Sequence, residues 1–103
     1  MAAKSFRDRV FLLAKQIPAG KVATYKSLAI AAGNPKAGRA VGTIMHYNDR
    51  KKTGVPCHRI VKSNGDPGGY LHGRKRKISL LAKEGVFFRE GKIDLSGCMH
   101  TFR

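Results

Sequence analysis

The stretch Val55-Pro56-Cys57-His58-Arg59 sets a thiol beside an imidazole and a guanidinium. A free thiol has a pKa of about 8.5, so only a few per cent is thiolate near neutrality. A neighbouring base or cation is the usual means of raising that fraction, and the chemistry on offer is nucleophilic attack by sulfur. Adjacent side chains on an extended backbone point to opposite faces, so contact between Cys57 and His58 requires a turn here. On the dipeptide alone, an inert cysteine filling a core is the commoner alternative. Cys57 and Cys98 are too few and too unpatterned for a disulfide framework; they can pair in principle, but reduced thiols of an intracellular protein are the expectation. No Cys/His spacing matches a zinc site, so neither a metal nor a cofactor is expected.

The elements that must position this thiol follow from periodicity and punctuation. Ser5 can cap a first helix, with Asp8 in the place of a capping-box acid, and Phe6, Val10, Leu13, Ala14 and Ile17 recur at helical spacing before Pro18. Lys21-Val22-Ala23 reads as an extended connector. Thr24 can cap a second helix carrying Tyr25, Leu28, Ala29 and Ala32, closed by Gly33. Asn34 and Pro35 then predict a third helix over about 35–46, with Asn34 as its cap and Pro35 in its first turn. Two short helices joined by a tight turn make a helix-turn-helix. The second of them interleaves small residues with Lys36 and Arg39, so it faces either another core helix or a polyanion at close range. Residues 47–54 read as a polar loop, Ile60-Val61 as a buried strand, and Pro67 to Tyr70 as a flexible loop. The basic run 74–77 opens a helix that ends at Glu84-Gly85, and residues 86–93 suggest a hairpin. The sequence from Ser96 onward carries no pattern.

At 103 residues the chain is expected to be one domain, mainly α with short β hairpins and winged helix-turn-helix-like. Its 21 Lys and Arg against 6 Asp and Glu give a net charge of +15, for which a polyanion is the natural partner. No apolar run approaches the ~20 residues of a membrane span. The N-terminus runs straight into an amphipathic segment, so no signal peptide is expected. These features predict a monomer acting inside the cell, cytoplasmic in a prokaryote or nuclear in a eukaryote.

Taken together, Tyr25, the segment Ala32 to Gly42, Pro56-Cys57-His58-Arg59 and Glu84-Gly85 resemble the O6-alkylguanine-DNA alkyltransferase family. The likeness covers that family's C-terminal domain, from about Phe6 to Glu84, so its N-terminal domain is expected to be missing. The resemblance implies a helix-turn-helix that grips duplex DNA containing O6-alkylguanine through Thr24, Pro35, Lys36, Ala37, Gly38 and Arg39. Arg39 stands at the position of the family's arginine finger, which fills the stack left by a flipped base; contact with phosphate alone is the plainer alternative. Cys57, His58 and Glu84 match a Cys–water–His–Glu relay, in which the carboxylate orients the imidazole. Tyr25 matches a tyrosine that donates to the flipped base, although a half-buried core tyrosine is the reading without the resemblance. Asn48 corresponds to the asparagine that braces the turn near the thiol, with one extra residue between it and Cys57. Met45, Ile60, Gly69, Tyr70 and Leu71 correspond to the substrate pocket, Ile60 through its carbonyl and Tyr70 as a lid on the alkyl group. Relatives often carry a small hydroxyl residue where this chain has Leu71, which bears on recognition of the guanine O6.

Three functions are compatible with these residues. One is a repair protein that takes the alkyl group irreversibly onto Cys57. A second is a lesion binder that recruits other factors, as in alkyltransferase-like proteins, which replace the cysteine. A third is a winged-helix DNA-binding protein with a structural cysteine.

Overall fold

The computed structural model describes residues 5–102; Met1–Lys4, which enter the signal-peptide reading, and Arg103 lie outside them. Ser5 sits in extended backbone and accepts the Asp8 N–H at 3.1 Å, starting α1 (Phe6–Ala14). Val10 and Ala14 on one face are buried, as is Ile17 just beyond the helix. Thr24 and Ser27 form a reciprocal capping box at 3.0 Å each way, which starts α2 (Tyr25–Ala31).

The third helix departs from expectation. It begins at Gly38, not Pro35: α3 spans Gly38–His46. The Asn34 side chain accepts the Lys36 N–H at 3.3 Å and its carbonyl accepts the Ala37 N–H at 3.1 Å. Asn34 therefore holds Pro35 and Lys36 in a turn of its own before the helix starts, a habit of short polar side chains. The turn is longer and α3 shorter than the sequence pattern implied. Helices α2 and α3 nevertheless form the helix-turn-helix, with α1 packed against both.

The β structure is sparse and of two kinds. Among the described residues there are two sheets, of which only one is a hairpin: β1 (Ala23–Thr24) instead pairs in parallel with β2 (Ile60–Val61), Ala23 opposite Ile60. This pairing turns the expected connector into the strand that brings α2 beside the Cys57 segment. The hairpin is β3 (Phe88–Arg89) with β4 (Lys92–Ile93), turned by Glu90 and Gly91, both at positive φ (53° and 79°). Positive φ at both central residues is what a two-residue turn matched to strand twist demands. The 47–54 segment also corrects the sequence reading. It contains a one-turn helix, α4 (Arg50–Thr53), capped by the Asp49 carboxylate. Helix α5 (Arg74–Lys83) follows the lid loop. The C-terminal stretch is not featureless, because the backbone of Val22 bonds to Cys98 and His100 at 2.8 Å each.

The core has two parts. The larger joins α1, α2 and α3 to Val55, Cys57, Ile60 and Tyr70. The smaller joins Val22, Val61 and Leu81 to Val86, Ile93 and Cys98. The Cys57 segment thus lies in the main core. Among the described residues, no helix is long and apolar enough to cross a membrane.

Candidate functional site

The required turn is present. Cys57–Arg59 forms a single 3-10 turn between Pro56 and β2, so Cys57 and His58 both face inward and both are buried. The Cys57 thiol is 1% exposed, and its Sγ lies 3.7 Å from the carbonyl of Asn48. Burial pushes the thiol up from its ordinary value, against hydrogen bonding at Asn48 and the nearby Lys77 cation. The resting sulfur is therefore protonated near neutrality and needs a base to become a nucleophile.

His58 is fully buried, and its Nε2 lies 3.0 Å from Oε2 of Glu84. Burial pulls the imidazole down more strongly than Glu84 lifts it, so His58 rests neutral. With Nε2–H donated to the carboxylate, the free lone pair is on Nδ1, which makes no hydrogen bond among the described residues, the Cys57 thiol included. An unprotonated imidazole nitrogen of this kind is chemically able to act as a base.

Glu84 is in turn held by Arg59. Its Nε donates to Oε1 at 2.9 Å and its Nη2 to Oε2 at 2.6 Å, while Nη1 donates to the Ile17 carbonyl at 2.8 Å. This two-pronged grip fixes the carboxylate plane. Burial pushes Glu84 up, but the Arg59 and His58 hydrogen bonds outweigh it and hold the carboxyl down at about 2. Sequence reasoning noted Arg59 as part of a motif and assigned it no task.

Asn48 reaches its place despite the extra residue. Its Nδ2 donates to the Val55 carbonyl at 3.0 Å, and its Oδ1 accepts the Thr53 hydroxyl at 2.6 Å. Helix α4 takes up the added length as one compact turn, so the segment entering Pro56 is braced.

The second unforeseen residue is Lys77. It sits in the basic run but is 0% exposed, and its ammonium donates to Ile60 O at 2.6 Å, Gly69 O at 3.1 Å and the Tyr25 hydroxyl at 3.2 Å. Burial lowers it to about 8. The Ile60 carbonyl assigned to the substrate pocket therefore already has a donor. Lys77 also fixes the polarity of Tyr25. The phenol oxygen accepts from the ammonium, which leaves the O–H free to donate elsewhere. Burial, with Cys57 and Asp66 nearby, pushes Tyr25 up to about 12, so it is a hydrogen-bond donor and not an acid that ionises. Spacing held the signal for Lys77: it lies four residues before buried Leu81 and seven before Glu84, on the inward stripe of α5.

The lid loop closes over these groups. Gly68 has φ +78°, and its N–H donates to Asp66 Oδ1 at 2.8 Å, the carboxylate also bound by Arg74 at 2.9 Å. A Cβ on Gly68 would come within 2.6 Å of the Tyr25 hydroxyl, so glycine lets the loop lie directly on Tyr25. Tyr70 is buried against the main core, whereas Leu71 is 40% exposed and is not part of it.

On the helix-turn-helix, Arg39 is exposed in the first turn of α3, beside a cleft of about 370 Å³ that runs past Gly42 to Tyr25 and Gly69. Pro35 and Lys36 are exposed in the turn, Ala37 and Gly38 half-buried. Thr24 is buried with its hydroxyl engaged in the cap, and Met45 is buried in the core. The structure thus sets Asn48 against the Cys57 thiol, joins the next residue, His58, to Glu84, and places Tyr25 near enough to Cys57 to feel its charge. Arg39 stands at the mouth of the adjoining cleft. Among the described residues, no three His, Cys, Asp or Glu side chains are grouped to hold a metal ion. Cys57 and Cys98 are both free thiols.

A core-buried thiol, followed by a histidine tied to a clamped carboxylate and mounted against a helix-turn-helix, defines the class: a helix-turn-helix fold that shelters a free thiol. Residues 5–86 match the family described as 6-O-methylguanine DNA methyltransferase, DNA binding domain, and the chain belongs to that family. It is 45% identical over 91 residues to the human methylated-DNA–protein-cysteine methyltransferase, covering 88% of this chain and 42% of that protein. It is 40% identical over 86 residues to a bifunctional methyltransferase/endonuclease of Picrophilus torridus, covering 84% of this chain and 28% of that one. The chain therefore spans less than half the length of these curated relatives. Among solved structures, S. pombe Atl1 in complex with damaged DNA containing O6-carboxymethylguanine superposes with a TM-score of 0.84 at 30% identity, over 98% of this chain and 99% of that one. The Mycobacterium tuberculosis OGT in complex with DNA superposes at 0.71 and 34% identity, over 82% and 51%.

Proposed function

We propose that the chain binds duplex DNA through α2 and α3, receives a flipped O6-alkylguanine beside Cys57, and takes the alkyl group onto the sulfur. The observation that carries this reading is the neutral, buried His58 with Nδ1 unengaged and Nε2 tied to Glu84 next to a protonated thiol. His58 draws the proton from Cys57 through a bridging water, as in the Cys–water–His–Glu relay, and the imidazolium is stabilised by Glu84, which Arg59 keeps ionised. Sulfur attacks the alkyl carbon, the C–O6 bond breaks, and its electron pair leaves with the guanine. Tyr25 donates a hydrogen bond to the departing base, and the proton taken from the thiol ends on it. A thioether has no easy return path, so each chain acts once.

Incubation with duplex DNA carrying O6-methylguanine is expected to add one methyl group per chain, mapped to Cys57 by intact mass and peptide analysis. Methylation at Cys98 instead, or no mass change under prolonged excess of substrate, would defeat the reading. A second reading is a lesion binder that recruits other factors. It is favoured by the superposition on Atl1 over nearly the full length of both chains. Tight binding of the methylated duplex without any mass change is its signature.

The exposed position of Arg39 leads to a further expectation. If its planar cation fills the stack vacated by the base, Arg39→Ala should slow transfer from duplex DNA at least tenfold, given a few kcal/mol for base extrusion. The free base O6-benzylguanine needs no extrusion and should react at the parental rate. Equal losses on both substrates would make Arg39 a residue of the fold.

A further inference from the structure

A second recess, about 490 Å³, is lined by Tyr70 and His72 at the end of the loop that carries Gly68 and Gly69. Its floor is apolar, formed by buried Tyr70 and half-buried Leu80. Its rim is cationic: Arg50 and Lys51 reach it from α4, and Arg76 from α5. The carboxylate of Asp49 also lines it, but its Oδ1 accepts the Lys51 N–H at 3.0 Å and lies 3.7 Å from Nε2 of His72. Two of its lining residues, Arg50 and Tyr70, lie close enough to Cys57 to interact with its charge. Asn48, whose carbonyl is 3.7 Å from Sγ, immediately precedes Asp49 and Arg50. The +15 charge of the chain would account for scattered surface cations, but not for three arranged around an apolar floor beside the thiol.

We infer that this recess is a subsite for O6 substituents that end in a carboxylate, with a short hydrocarbon arm over Tyr70 and the anion among Arg50, Lys51 and Arg76. The inference rests on the alkyl-transfer reading and deepens it by naming the substituent. A DNA phosphate could offer the same charge, but a phosphodiester has no arm to lay on the floor of a recess. Transfer keeps the chemistry given above. The S–C bond forms at the methylene carbon, the C–O6 bond breaks with its electrons leaving on guanine, and the thiol proton ends on that base.

The test compares single-turnover transfer from matched duplexes carrying O6-methyl-, O6-carboxymethyl- and O6-propylguanine, the last a neutral substituent of similar size. Carboxymethyl transfer should exceed propyl transfer about tenfold, the worth of one charge-assisted hydrogen bond. Lys51→Gln combined with Arg76→Gln should bring that ratio close to one. The same comparison made by binding to Cys57→Ser, with undamaged duplex as a third arm, reads the subsite without chemistry. A carboxymethyl-over-propyl preference there supports the subsite even if no duplex methylates the parent, an outcome that defeats only the transfer reading. Methyl transfer with equal carboxymethyl and propyl rates overturns the subsite and leaves the transfer reading intact. If the double substitution weakens binding to all three duplexes alike, these cations serve phosphates and the inference is overturned.

Discussion

Glu84→Gln is expected to slow alkyl transfer by about a hundredfold or more on duplex and free-base substrates alike. The amide is nearly isosteric, so the cause is the lost charge and a misplaced donor. Arg59 donates to both carboxylate oxygens, Nε to Oε1 and Nη2 to Oε2, and His58 Nε2 also donates to Oε2. An amide N–H2 in either place therefore faces a donor, and without the negative charge the imidazolium that forms when His58 takes a proton loses its stabilising partner. In hydrolase triads the same acid-to-amide change costs about 10⁴. A Glu84→Gln variant that methylates at the parental rate would remove His58 from the proposed chemistry. The carboxylate also links stability to pH. Its pKa falls from an ordinary 4.5 to about 2 in the folded chain, so the unfolded chain binds the proton more readily. The stabilisation is complete above pH 4.5 and is lost as pH falls towards 2. Glu84→Ala leaves Arg59 and His58 without their partner and should cost about 3 kcal/mol at neutral pH. Its unfolding free energy should also be flatter across the acid window than that of the parent, measured by denaturant titration.

Lys77→Met should separate function from folding. The parent buries an ammonium, which is unfavourable, and compensates with three hydrogen bonds. Because burial lowers Lys77 to about 8, its burdened charged form prevails below that pH, and stability from this group rises as pH climbs from 8 towards 10.5. Methionine removes the buried charge and fills similar space, while the carbonyls of Ile60 and Gly69 lose a donor at about 1–3 kcal/mol each. The two effects oppose each other, and unfolding at pH 7 should shift by no more than about 1–2 kcal/mol. Transfer should fall more than tenfold, because the cation beside the thiolate and the tie between lid, β2 and Tyr25 vanish together. The parental rate should decline as pH passes 8, and the variant should lack that decline. A variant that transfers at the parental rate would leave Lys77 with a packing role only.

These two residues also mark where the sequence was informative and where it was not. Helices α1, α2 and α5 and the β3–β4 hairpin were readable because their caps, apolar spacing and turn residues act locally. The onset of α3 was misplaced because Asn34 and Pro35 suit a helix start and a tight turn equally well, and only packing chooses between them. The parallel pairing of Ala23 with Ile60 joins segments 37 residues apart, and two-residue strands leave no periodicity to detect. Cys57, His58 and Glu84 came from motif and resemblance. Lys77 was hidden by its neighbours, since three exposed basic residues before it made a solvated face the natural reading. Arg59 was hidden differently: its partners, Glu84 and Ile17, lie 25 and 42 residues away.

On the proposed reading the thiol works once and must not be spent on another reaction. Oxidation to sulfenic acid, glutathionylation and disulfide exchange all require a thiolate that meets its oxidant. Cys57 denies both conditions while idle, being 1% exposed and held protonated by its burial. Peroxide and disulfides should therefore leave it untouched for as long as the lid over Tyr25 stays down. The same burial that makes the sulfur a poor nucleophile at rest would preserve it for the single transfer proposed above.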